Sequence, residues 1–234
     1  MHVRPGKRRE DDEQLREAYL AGGDIPLGLK LRKGIHSLLT DPWKALILGM
    51  TGPLGLVLRG RHFRRKLGHL GRNAVIGRHV DIRGERNVYV GDLTFLDDYL
   101  KLEAPEGYIR IGKRCHIAGW VLGHEGVEIG DYVASGGMIL SITDSHQGGF
   151  RMSGPMIPRE QRRLRRGRVV IGRDAFIGQF SVVLPGTTIG EGAVVGPHSL
   201  VAGKIKPWTV VMGSPATVIG HRDEVKFDDP DTPA

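Results

Sequence analysis

From Val169 to Met212 an aliphatic residue returns at every sixth position: Ile171, Ile177, Val183, Ile189, Val195 and Val201. Glycine follows it at Gly172, Gly178, Gly190 and Gly196. A helix repeats near 3.6 residues and a strand at 2, so neither produces this pattern. Period six marks a parallel β-helix built from hexapeptides. Each hexapeptide supplies one short strand and one corner, with its aliphatic residue turned into the coil axis. Glycine suits the corner, where a positive φ is expected. Three hexapeptides close one triangular coil, so equivalent positions recur about every 18 residues.

The same marker, Ile or Val before Gly, runs back through Ile129, Ile111, Val90 and Ile76, which sets the start of the β-helix near Ala74. The steps between successive markers are uneven. Ile111 to Ile129 and Ile171 to Ile189 are each one full coil, Ile76 to Val90 falls short of one, and Val90 to Ile111 and Ile129 to Ile171 exceed it. The pattern therefore predicts a short first turn, a three-residue insertion near Ala104-Pro105, and a long excursion between Thr143 and Arg168. A long loop leaving an otherwise regular coil is where function concentrates. The domain plan is an N-terminal extension over 1–72, a β-helix over 73–212 with its loop at 143–168, and a tail over 213–234.

The extension reads as helical. Asp11 to Leu20 suits a short helix ended by Gly22-Gly23. Asp41 is placed to cap a second helix with Pro42 at its first position, and Gly52-Pro53 breaks it. The uncharged run Ala45–Leu58 is too short and too rich in glycine and proline to span a bilayer. After Met212, the segment GSPATVIGHRDEV reads as a turn and a short helix, and DDPDTPA as a loose acidic end. The fold class is thus all-β dominated, with helices at both ends.

Charge changes this picture at one end. The net charge of +8 belongs entirely to residues 1–72, because basic and acidic residues are equal in number over 73–234. A neutral repeat domain argues against nucleic acid as a partner. The basic segment 30–66 has two readings that do not exclude each other. It can cap the open end of the β-helix and hide its strand edge, or rest on a membrane surface through Trp43 and its Lys and Arg side chains. The segment from Met1 to Leu20 is charged and lacks the apolar core of a cleavable signal. A single cysteine, Cys115, excludes an internal disulfide and reads as core packing.

The excursion opens SITDSHQGGF. His146 stands just past the last repeat strand and can exchange a proton near neutral pH. Arg151, Arg159, Arg162, Arg163, Arg165, Arg166 and Arg168 face a single Glu160 in the same loop, a strong positive charge suited to a solvated face or to phosphate.

The segments GPLGLVLRGRHFRRKLGHLGRNAVIG, GHEGVEIGDYVAS, ITDSH, VVIGRDAFIG, VLPGTTIGEGAVVG and GSPATVI cover about residues 50–222. In them the chain resembles the hexapeptide-repeat acyltransferases, and is most similar to O-acetyltransferases of lipopolysaccharide and capsule biosynthesis. The resemblance implies a left-handed β-helix, a homotrimer, acetyl-CoA as acyl donor and a cytoplasmic location. It implies His146 as general base, oriented by a carboxylate drawn from Asp144, Glu125 and Glu160, with Asp144 first. Pantetheine would follow the corner at Gly178, Gln179 and Ser199, with Lys204 and Arg222 toward the CoA phosphates. His124, Glu125 and Arg151 would face the acceptor, a sugar, glycan or lipid-linked glycan. The chain departs from the family at Phe176, Gln179, Pro197-His198 and Ala202-Gly203.

The alternatives are an N-acyltransferase on an amino-sugar nucleotide and a non-catalytic or metal-binding β-helix. His116 and His124 invite the metal reading, but they lie eight residues apart and lack the spacing of a zinc set, so no metal is expected.

Overall fold

A computed structural model describes residues 14, 27–145 and 163–226. The chain divides into two compact units, one of residues 1–47 with 144–165 and one of 48–143 with 166–234. Within the first, the helix α1 runs from Leu27 to Gly49, its last two residues lying in the second. The predicted start at Asp41 is therefore corrected. Residues 27–40 carry Leu, Lys and Arg, which favour a helix, and Pro42 lies inside α1 rather than at its head. The proline at a helix start is Pro53, in α2 (Gly52–Arg64), with Thr51 as N-cap in extended conformation. No helix of the described residues is long and apolar enough to cross a membrane. The expected helix over 11–20 lies outside the described residues, Gln14 apart.

The second unit is a parallel β-helix with three faces. Seven short strands stack on the first face, from His69–Leu70 to Lys204–Ile205. The second face begins with Val75–Ile76, and the third with Asp81–Arg83. The coil therefore starts at His69, ahead of the expected point at Ala74. The expected short first turn compared residues on different faces. Ile76 pairs with Leu96 on the second face, and Leu70 with Val90 on the first. The register survives the excursion, since Ile129 pairs directly with Ile171.

Ile76, Leu96, Ile117, Ile177, Val195 and Val211 line the second face from inside, and three-residue strands of the first face turn two residues inward, as at Ile109 and Ile111. Each contributes about 1.5–3 kcal/mol by burial. Glycine plays a different part from the one expected. A Cβ at Gly77, Gly172 or Gly178 would lie 2.5–2.6 Å from backbone of the next coil, so these glycines permit close stacking. The positive φ falls two residues later, at His79, Leu93, Arg114, Tyr132, Asp174, Phe180 and His198. Bonds between coils hold several of these strained residues: the N–H of Leu93 donates to Arg72 O, of Tyr132 to Lys113 O, and of His198 to Gln179 O.

Both ends of the coil are covered. At the start, α2 buries Gly55, Arg59 and Phe63, one residue per turn along one face. Phe63 and Leu67 join the core cluster, and Arg59 reaches the first strand of the second face. At the far end, the predicted short helix after Met212 is replaced by a strand, Thr217–His221, antiparallel to Thr209–Met212. The β-branched run Thr217, Val218 and Ile219 favours a strand, and the open edge of Thr209–Met212 offers it a partner.

Candidate active site

The excursion leaves the coil at the corner between the third and first faces. Its two feet are strands, Ile142–Ser145 and Arg163–Arg166, which pair as a small sheet. Asp144 lies in the outgoing strand. His146 follows it directly but lies outside the described residues, as do Arg151 and Glu160.

Four contacts fasten the loop at this corner. Ser141 is fully buried; its hydroxyl donates to Leu122 O at 2.8 Å and accepts the Glu125 N–H at 2.9 Å. Its carbonyl accepts the Gly167 N–H at 3.0 Å. The Glu125 carboxylate pairs with Arg166 on the returning foot. One short coil corner thus holds His124 and Glu125 beside both ends of the loop. Gly126 makes that corner narrow: its φ is +102°, and a Cβ there would strike the Tyr108 ring. Beneath it the Glu128 carboxylate accepts the Tyr108 hydroxyl at 2.7 Å and lies 3.5 Å from Arg168 and 3.8 Å from Arg110.

Two of the loop arginines are therefore taken by coil carboxylates. Glu125, expected at the acceptor or beside the histidine, is held by Arg166. Ser141 and Arg166 were not expected in the site. A small polar residue directly before the departing strand was the available sign for Ser141; nothing separated Arg166 from its neighbours in the arginine run.

The residues expected to hold a cofactor occupy three different edges of the prism. Gly178, Gln179 and Ser199 share the corner after the second face. Gln179 is exposed, and next to it the exposed Phe180 stacks on His198 at 5.2 Å. Ser199 is buried with its polar groups engaged. Its hydroxyl donates to Gly196 O, its N–H donates to Ser181 Oγ, and its carbonyl accepts the Val182 N–H. It shapes the corner from inside. Lys204 is exposed at the start of a first-face strand, on the edge that also carries the excursion. Arg222 lies on the third edge, paired with Asp174 at 3.2 Å, donating to Gly192 O and lying over Trp208.

The two histidines of the metal reading are apart. His116 lies on the second face with its ring 3.1 Å from Asp97, and His124 lies at the loop corner. No group of three metal-ligating side chains occurs among the described residues.

The family described as bacterial transferase hexapeptide (six repeats) matches residues 168–203. A dTDP-4-amino-4,6-dideoxy-D-glucose acyltransferase of Escherichia coli is 33% identical over 159 residues, 66% of this chain and 82% of the relative. WbbJ of Escherichia coli K12, named for O-acetyl transfer in lipopolysaccharide biosynthesis, is 34% identical over 148 residues, 62% of this chain and 65% of its own. The structure of AntD, an N-acyltransferase from Bacillus cereus in complex with dTDP and 3-hydroxybutyryl-CoA, superposes with a TM-score of 0.64. It is 26% identical, over 70% of this chain and 88% of that one. A repeat of this register, with a loop pinned at one corner, together with a relative matched over most of its length, shows that the chain belongs to the hexapeptide-repeat acyltransferases and is itself an acyltransferase.

Proposed function

We propose that the protein moves an acetyl group from acetyl-CoA to a sugar hydroxyl of a cell-envelope glycan or its precursor, with His146 as general base. The observation that carries this reading is the fastening of the excursion at Ser141, Glu125 and Arg166, which fixes the strand directly preceding His146. His146 takes the proton of the acceptor hydroxyl while that oxygen bonds to the thioester carbonyl carbon. The C–S bond then breaks, and the proton passes to the departing CoA thiolate. Asp144 is the proposed partner of the base, and His124 and Arg151 are the proposed acceptor contacts; His124 is half-buried at the coil corner. The corner at Gly178 and the exposed Gln179 takes the pantetheine arm, and Lys204 the phosphates.

The reaction is cytoplasmic, where the donor is made. Exposed Phe95, Phe176 and Phe180 on and beside the second face support assembly as a homotrimer.

The test is His146→Ala. Turnover should fall by about 10²–10⁴-fold while acetyl-CoA still raises the melting temperature. Undiminished turnover would overturn the assignment.

The second reading, N-acylation of an amino-sugar nucleotide, draws on the E. coli relative matched over 82% of its length. Product stability separates the two, because mild base cleaves an ester and spares an amide.

A further inference from the structure

The cap helix α2 is built inside out. The face it turns to the coil carries Arg59, and the face it turns to solvent carries Leu54 and Val57, exposed by 62% and 65%, while Leu56 is exposed beside the buried stripe. One to two turns further along, Arg61, Arg64 and Arg65 are exposed as well. These arginines and Val57 line a groove of about 640 Å³ between α2 and the first coil, floored by Asn73, Ala74 and Val75. From Pro42 to Val80 the chain contains no acidic residue. The arginines of the neighbouring coil are neutralised, Arg72 by Asp92 and Arg78 by Asp98. Arg61, Arg64 and Arg65 form no ion pair among the described residues.

We infer that the outer face of α2 docks the protein on an anionic lipid bilayer. The arrangement has two parts, and a bilayer interface answers both. Leu54 and Val57 enter the boundary between headgroups and acyl chains, and the three guanidinium groups meet lipid phosphates, which they can grip through two hydrogen bonds each. A nucleic acid would answer only the arginines, leaving the apolar side chains in water. A second copy of the chain would answer the apolar side chains but would have to bring carboxylates to three cations that have no ion pair among the described residues. Arg59 and Phe63 anchor α2 to the coil through its other face, so docking requires no change in the cap. The inference does not depend on the acyl acceptor.

Flotation of the full chain with vesicles tests it. One set is phosphatidylcholine alone, the other phosphatidylcholine mixed with phosphatidylglycerol, each at low and high salt. Binding to the anionic set is expected, weakening as salt rises. Arg61→Gln/Arg64→Gln/Arg65→Gln should lower partitioning on the order of 100-fold, from roughly fivefold per cation near an anionic surface. The corresponding triple lysine variant should retain most binding, and Leu54→Ser/Val57→Ser should weaken binding to the anionic set. Melting temperature and acyl transfer to a soluble sugar should stay at wild-type values in every variant. Equal binding to both vesicle sets, indifference to salt, or full binding by the glutamine variant would overturn the inference. So would self-association without vesicle binding that Leu54→Ser/Val57→Ser abolishes, which would give the face to a second copy.

Discussion

Arg59 offers the sharpest test of how the coil is closed. In a parallel β-helix each strand donates to the next coil: Val75 N–H to Thr94 O, Gly77 N–H to Leu96 O. The first strand has no coil behind it, so its carbonyls lack that partner. Arg59, 2% exposed, supplies one: Nε donates to Ile76 O at 2.8 Å, and Nη1 donates to Met50 O at 2.6 Å. Burial lowers its pKa and Asp98 opposes the shift; an arginine starts so high that it stays charged. A hydrogen bond from a charged donor contributes about 1.5–3 kcal/mol. Arg59→Ala loses two of these and the packed stem, so the expected loss is about 3–5 kcal/mol. At about 2–4 °C per kcal/mol for a chain of this size, the melting temperature should drop on the order of 10 °C. Arg59→Met separates the causes. It keeps most of the apolar volume and removes both donors, leaving two carbonyls unpaired, so it should still lose about 2–4 kcal/mol. Arg59→Lys reaches one carbonyl and should recover less than half. Thermal unfolding followed by circular dichroism reads all three. A methionine variant as stable as the wild type would refute the reasoning, because the arginine would then act only by filling space.

Other consequences follow from the loop corner and the flanking coils. Ser141→Ala leaves the Glu125 N–H without an acceptor and should cost about 1–3 kcal/mol. Glu125→Gln removes a half-exposed ion pair and should barely move stability, yet lower turnover by loosening the returning foot. Equal melting shifts in the two variants would show that the corner is not fastened as described. The hydrogen bond from the Arg78 side chain holds the Asp98 pKa below the usual carboxylate value, helped by the Arg78 backbone N–H. That contribution is present above the unfolded pKa of about 3.9 and is lost as pH falls through the lower folded value. Asp98→Asn should therefore flatten the acid side of a plot of melting temperature against pH, and an unchanged slope would count against the pair. Burial raises the Cys115 thiol to about 11, so it should react with a disulfide reagent at pH 8 only as fast as the protein opens; rapid modification of native protein would contradict its packing.

The periodicity carried the coil because every hexapeptide repeats one inward aliphatic position. Ile129 and Ile171 could be matched across the excursion without knowing anything of the loop between them. The same economy hid the ends. At an end, a residue is chosen by the absence of a neighbouring coil, and no period records an absence. Arg59 sits at an inward position of α2 where an apolar residue is expected, and its reason is a carbonyl 17 residues away. Pro42 and Pro53 each lie close behind a residue able to cap a helix, Asp41 and Thr51; only the chain preceding each decided which began one. Thr217–His221 became a strand because an open edge lay beside a β-branched run too short to announce itself by period.

The site divides along the same line. His146 stands out from sequence by its position just past the last repeat strand, and it lies outside the described residues. The fastening of the loop corner could not be read, because Glu125 and Arg166 are 41 residues apart and meet only when the excursion returns to the corner it left. The cofactor residues show how far corner arithmetic reaches. Gly178 and Gly196 are one coil apart and so share an edge with Gln179 and Ser199. Lys204 comes after the next corner, where Gly203 has a φ of +80°, and so joins the edge of the excursion. Arg222 comes after the chain has reversed into an antiparallel strand, where counting by six no longer assigns an edge. Its pairing with Asp174 and Gly192 then follows from the reversal. Corner counting therefore keeps Gly178 and Gln179 on one edge and puts Lys204 on the next. It gives Arg222 the task of tying the closing strand to the coil: Arg222→Ala should lower the melting temperature while leaving the apparent affinity for acetyl-CoA unchanged. A weakened affinity at unchanged stability would instead return Arg222 to the phosphates.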